Sequence, residues 1–126
     1  MVQRTTVYSE GIHNAEWLIS MAHHQRSVDE VAIAQDDDVY ASGTVMMGAL
    51  DADNERWDGA DPTTISGILL LEKDATAGAE RGVVVNVDAL ACEEYLVFDA
   101  AVTDPQKAQA LAQLRTMGIK TRESHK

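Results

Sequence analysis

The residues whose type and spacing could do chemistry are three histidines, two runs of carboxylates, a serine–glycine pair and a lone cysteine. Metal binding is the first chemistry to test. His13, His23 and His24 lie near one another in the chain. Adjacent histidines on a regular element point in different directions, however, and no Cys, Glu or third His follows at ligand spacing. They read as arm or surface histidines, and no metal is expected. The run Asp51-Ala52-Asp53-Asn54-Glu55 begins like a calcium loop. Arg56 then stands where the sharp turn needs glycine, and Pro62 where the twelfth ligand should be glutamate, which excludes an EF-hand. Asp36-Asp37-Asp38 puts carboxylates side by side for a cation, although a solvated turn is the simpler reading.

Nucleophilic and acid–base chemistry find equally little. Ser66 precedes Gly67 without a Gly-x-Ser-x-Gly elbow around it. No glycine-rich phosphate cradle or dinucleotide fingerprint occurs. Glu93-Glu94 is a carboxylate pair of the kind any acidic surface displays. Cys92, the only cysteine, sits in the run Leu90-Ala91-Cys92, where a small core residue is expected rather than a reactive thiol. Its solitude excludes an internal disulfide, so packing or assembly must stabilise the chain. The expectation is a protein that is not an enzyme, with no catalytic residues and no cofactor.

The elements that would position these residues are mostly short strands. Residues through Ser9 have no apolar periodicity and read as a mobile start. Between Ile12 and Ala22 the apolar positions suit a helix or an extended segment, and periodicity alone does not choose. Val28 to Ala34 alternates, with Val31 and Ile33 on one side and Glu30 and Ala32 on the other, as a half-buried strand does. A second strand is expected over Gly43 to Leu50, its glycines marking a turn and a close backbone approach. Asp51 to Pro62 reads as a polar connection. Ile65 to Leu71 is apolar enough for a central strand covered on both faces, Val83 to Val87 is the most β-branched run, and Tyr95 to Phe98 reads as another short strand. One helix is expected near the end. Asp104 caps it, Pro105 takes the first helical position, and Ala108, Leu111, Ala112, Leu114 and Met117 line its buried face. Gly118 stops it, Ile119 packs back on the last turn, and Ile119 to Arg122 adds an edge strand.

Composition bounds the function. The 126 residues suit one domain, large enough to bury a core without staples. The longest apolar stretch, Ile68 to Leu71, is far too short to span a bilayer, and the start lacks a signal peptide's apolar run, so a soluble protein is expected. Asp and Glu number 21 against 10 Lys and Arg, for a net charge of -11. Such a chain is repelled by phosphate backbones and anionic membranes, and its scattered cations form no patch with aromatics. Neither nucleic acid nor membrane is an expected partner.

The order of segments resembles the lambda-type head decoration protein family of tailed viruses. The likeness begins with Glu16-Trp17-Leu18-Ile19-Ser20, continues through Arg26-Ser27 and Val31-Ala32-Ile33-Ala34, and reaches Ala41-Ser42-Gly43-Thr44-Val45-Met46-Met47-Gly48, similar to the family's aGTVLG motif. Ser66-Gly67-Ile68-Leu69, Gly82-Val83-Val84-Val85 and the close from Ala110-Leu111-Ala112-Gln113-Leu114 to Met117-Gly118-Ile119 complete it. Departures are Met46-Met47 for the usual Val-Leu, Trp17 where Phe is usual, and the histidine-bearing segment from Met21 to Gln25. The resemblance implies a mainly β fold with one C-terminal α-helix, a β-clip-like compact domain carrying an extended N-terminal arm. Residues 1–22 would be the arm and 23–126 the β-rich domain. It further implies a homotrimer at three-fold and quasi-three-fold positions on the outer surface of the expanded head, made in the host cytoplasm and stabilising the shell against packaged DNA. The partner would be the major capsid protein, bound through Ile12, His13, Asn14, Ala15, Glu16, Trp17, Leu18 and Ile19, with Trp17 as anchor or, alternatively, as a core residue of the monomer. The trimer contact is left unassigned. Two other functions fit the residues: a ligand- or glycan-binding β domain with an aromatic pocket around Trp57 and Tyr95, and a small β hydrolase.

Overall fold

Strands buried on both faces organise this molecule, because alternate side chains of one strand can serve two different cores. The structure is a computed structural model and describes residues 17–21, 28–49 and 51–123. The fold is mainly β with one helix near its C-terminal end. Its elements in order are β1 (Leu18–Met21), β2 (Val28–Ile33), β3 (Val45–Met47), β4 (Asp53–Arg56), β5 (Ile65–Leu69), β6 (Glu80–Val85), β7 (Ala89–Cys92), α1 (Asp104–Thr116) and β8 (Ile119–Arg122). Single 3-10 turns at Pro62–Thr64 and Glu93–Tyr95 precede β5 and follow β7.

Five strands close into a barrel in the order β2-β4-β3-β5-β6, with β2 and β6 pairing antiparallel from Val28↔Val85 to Ile33↔Glu80. The remaining three form a sheet, β1-β7-β8, in which β1 runs antiparallel to β7 and β8 parallel to it. One core gathers Val31, Ile33, Tyr40, Met46, Leu69, Ala75 and Val84. The other gathers Trp17, Trp57, Val45, Ile68 and Val85 with residues of β7, α1 and β8, so it lies between the barrel wall and the outer layer. Neighbours in sequence are thus divided: Val45 from Met46, Ile68 from Leu69, Val85 from Val84. All of β5 is buried, as its apolar run predicts.

The helix begins one residue earlier than its sequence implies. Thr103 is the cap, accepting a hydrogen bond from the Gln106 amide while the Gln106 side chain accepts from the Thr103 amide. Two free amides are satisfied at once, which a lone aspartate at Asp104 would not achieve. The buried seam is Ala110 and Leu114, with Leu111 and Met117 partly covered, whereas Ala108 and Ala112 face outward. Gly118 ends the helix at φ +101, and Ile119 is fully buried.

Other expectations are corrected. Strand β4 lies inside the supposed connection from Asp51 to Pro62, with Asn54 turned inward to donate to the Ala49 and Ala52 carbonyls at 2.9 and 3.0 Å. The strand expected over Gly43 to Leu50 is only β3, and β6 begins at Glu80 and stops at Val85. In place of a strand over Tyr95 to Phe98 there is one bridge, Thr44↔Val97, after the turn, while the true neighbouring strand is β7. Leu71, read as strand interior, is exposed.

Gly43 sits at φ +92, and a Cβ there would lie 2.8 Å from Trp17 Cδ1 and 2.9 Å from the Tyr95 carbonyl. Both strain and collision oppose a side chain. Gly43→Ala is expected to cost about 2 kcal/mol or more, read as a lower urea midpoint with unchanged slope.

Candidate functional site

Trp17 is where the expected capsid-binding segment meets the described structure. Its side chain is 1% exposed and packs over Gly43. The indole Nε1 donates to Ser42 Oγ at 3.1 Å, and that hydroxyl donates on to the Leu70 carbonyl at 2.7 Å. The Cys92 amide donates to the Trp17 carbonyl at 2.6 Å. Of the two readings of Trp17, the structure supports the core residue: an indole buried here is not available as an exposed anchor. Leu18 and Ile19 belong to β1 and are half-buried, so the ordered β sheet begins before the expected arm boundary at residue 22. Ile12, His13, Asn14, Ala15 and Glu16 lie outside the described residues, as do His23, His24 and His125.

Strand β1 is an edge of its sheet, with β7 on one side and no described strand on the other. An edge strand that no described strand covers is the kind of place where a further strand can be added. An open groove of ≈ 480 Å³ lies on this sheet, lined by Ser20, Met21, Asp88, Leu90, Gly118 and Lys120. The opposite edge, β8, carries Lys120 and Arg122, charges of the kind that discourage unplanned edge pairing.

The three-carboxylate loop is held by an arginine. Arg56 forms an ion pair with Asp36, donates to the Asp38 and Val39 carbonyls at 3.2 and 3.0 Å, and stacks 4.2 Å above the Tyr40 ring. The Asp36 carboxyl is held below its ordinary value, first by the hydrogen bond from Arg56, against a smaller opposing effect of burial. The loop is thereby tied down by its neighbour in β4. Asp51 and Asp53 are exposed, and Asp53 begins strand β4. No group of three or more His, Cys, Asp or Glu side chains among the described residues could hold a metal ion.

The candidate nucleophiles lack partners for catalysis. Ser66 Oγ is buried without a hydrogen bond, and no histidine lies among the described residues. Cys92 is buried, its thiol pushed up mainly by desolvation and directed toward Glu94 and the Glu123 carbonyl. Trp57 is in the core with its Nε1 donating to the Asp61 carbonyl at 3.0 Å, so it does not line an open aromatic pocket with Tyr95.

A five-stranded barrel with an appended three-stranded sheet and one helix packed outside it defines a small, mainly β protein. The family model described as bacteriophage lambda head decoration protein D matches residues 7–119. The chain belongs to that family, and is accordingly a structural protein associated with the phage capsid. A search of curated proteins found no match.

Two outcomes test the site as described. Trp17→Ala should cost about 3–5 kcal/mol of unfolding free energy, the penalty for emptying a core aromatic site. An exposed anchor would leave the urea midpoint unmoved. For Asp36, the folded pKa lies below the unfolded one, so its stabilisation is complete above 3.8 and is lost as pH falls through the folded value. Thermal melts stepped down through the carboxylate range should show this loss, and Arg56→Met should remove that part of the pH dependence.

Proposed function

We propose that the chain binds the outer surface of the expanded phage head as trimers at three-fold and quasi-three-fold positions, and stabilises the shell against the pressure of packaged DNA. The observation that carries this reading is the family match over residues 7–119, which takes in the segment before Trp17 as well as the domain. The partner is the major capsid protein. Contact runs through Ile12, His13, Asn14, Ala15 and Glu16, continuing into the half-buried Leu18 and Ile19, with Trp17 as the buried root of the arm.

The physical support is local. The chain passes directly from residue 16 into Trp17 and then into an edge strand, so an incoming segment of the shell meets, beside the arm, main chain that no described strand pairs. Strand addition of this kind draws affinity from main-chain hydrogen bonds and specificity from alternate side chains. Three arms on one trimer raise the effective concentration, so contacts that are individually weak hold firmly together. A net charge of -11 suits a position outside the shell, away from DNA.

The test is cosedimentation of the purified chain with expanded, undecorated capsids, beside a version lacking residues 1–16, which spares Trp17 and β1. Saturable binding by the full chain, lost on truncation while the circular dichroism spectrum and melting temperature persist, is the expected result. Binding by both versions would leave decoration standing and move the contact off the arm. Failure of the folded full chain to bind would overturn the reading.

A further inference from the structure

A strip of exposed apolar side chains crosses the molecule where three extended segments lie together. The segment 40–45 is central: Tyr40 bridges Lys73 and Val45 pairs with Ile68 on one side, and Thr44 bridges Val97 on the other. Hydrogen bonds of 2.9 Å from the Gly43 amide to Leu69 and from the Val97 amide to Gly43 join all three. At the surface Leu71 is 47%, Tyr95 40% and Val97 36% exposed. Two strand spacings put the outer segments about 10 Å apart.

The two sides of the strip differ in charge. Beyond Leu71 a groove of ≈ 230 Å³ is lined by Glu30, Leu70, Lys73 and Arg81. Arg81 is paired with Glu30 at 2.6 Å, while Lys73 makes no ion pair among the described residues. On the Tyr95 side, Glu93, Glu94 and Glu123 line a groove of ≈ 390 Å³ over Phe98 and Leu111, with Lys107 as its one cation. Glu93 is engaged by Thr121 and by Arg115, whereas Glu94 makes no ion pair among the described residues and meets the Cys92 thiol at 3.8 Å. The first groove therefore offers a cation beside apolar surface, and the second offers carboxylates beside apolar surface.

We propose that this strip is where copies of the chain meet, Leu71 and Lys73 of one copy seating against Glu94, Tyr95 and Val97 of the next. The proposal rests on the trimer reading above and names the surface for it. Chains of net charge -11 repel one another, so self-association needs a place where apolar area and opposite charges coincide. Here they coincide within one strip. In a ring each copy presents one end of the strip to each neighbour, and the contact repeats until the ring closes.

Sedimentation equilibrium of full-length chains, free in solution and after crosslinking on expanded capsids and release, tests this. The unmodified chain is expected at the mass of a trimer. Leu71→Glu should shift it to monomer, and Lys73→Glu should weaken association by about tenfold or more. Adding Glu94→Lys to Lys73→Glu restores the opposite charges and should recover the trimer, a rescue that loss of folding would not allow. If the unmodified chain is a trimer and both Leu71→Glu and Lys73→Glu remain trimers, the strip is not the contact, and the trimer reading survives without it. An unmodified chain that is monomeric at every concentration in solution and also yields no crosslinked trimer from the shell would remove the trimer reading and this proposal together, with cosedimentation still reporting on decoration alone.

Discussion

The structure depends on one constraint: the barrel wall must be apolar on both faces. Strands β3, β5 and β6 supply it with consecutive large side chains, Val45 and Met46, Ile68 and Leu69, Val84 and Val85, each pair split between the inner and outer cores. A strand with one polar face would fill the barrel and leave nothing to hold β7, β8 and α1 against its outside. The outer layer exists because the wall offers it a second hydrophobic surface. Trp17 and Trp57 are the largest side chains in the space between.

Trp17 shows how that packing shapes function. Its ring closes over Gly43, its indole nitrogen reaches Ser42, and its carbonyl receives the Cys92 amide. These contacts tie the start of β1 to the central segment of the apolar strip and to the end of β7. One side chain therefore joins the start of β1, the Gly43 segment and the end of β7.

Much of this was legible in the sequence where side-chain periodicity is strong. The alternation in β2, the continuous apolar run of β5, the β-branched run of β6 and the Pro-to-Gly frame of α1 each point to one answer, and the edge strand β8 follows from Ile119 packing back. Periodicity failed where polar residues do structural work. Strand β4 reads Asp-Asn-Glu-Arg, and only Asn54's bonds to two carbonyls reveal why it is buried. Strand β7 is too rich in alanine to stand out, and Tyr95 to Phe98 is apolar enough to resemble a strand while forming only a bridge. Trp17 was ambiguous for a deeper reason: a large aromatic serves a core and an interface by the same physics. The charge difference across the apolar strip was invisible because only the fold brings the segment of Leu71 and Lys73 near that of Glu94 and Tyr95.

The pairing of β1 with β7 also sets the order in which the chain matures. Leu18 finds its partner at Ala91, and β7 in turn awaits β8 at the far end of the chain. Closing such distant pairs costs loop entropy before any contact repays it, so folding of this sheet is governed by the slowest, most remote encounters. On a ribosome the first residues emerge long before their strand partners do. Trp17 and β1 therefore reach their final setting only after β7 and β8 have been made, so the first described strand is among the last to be fixed.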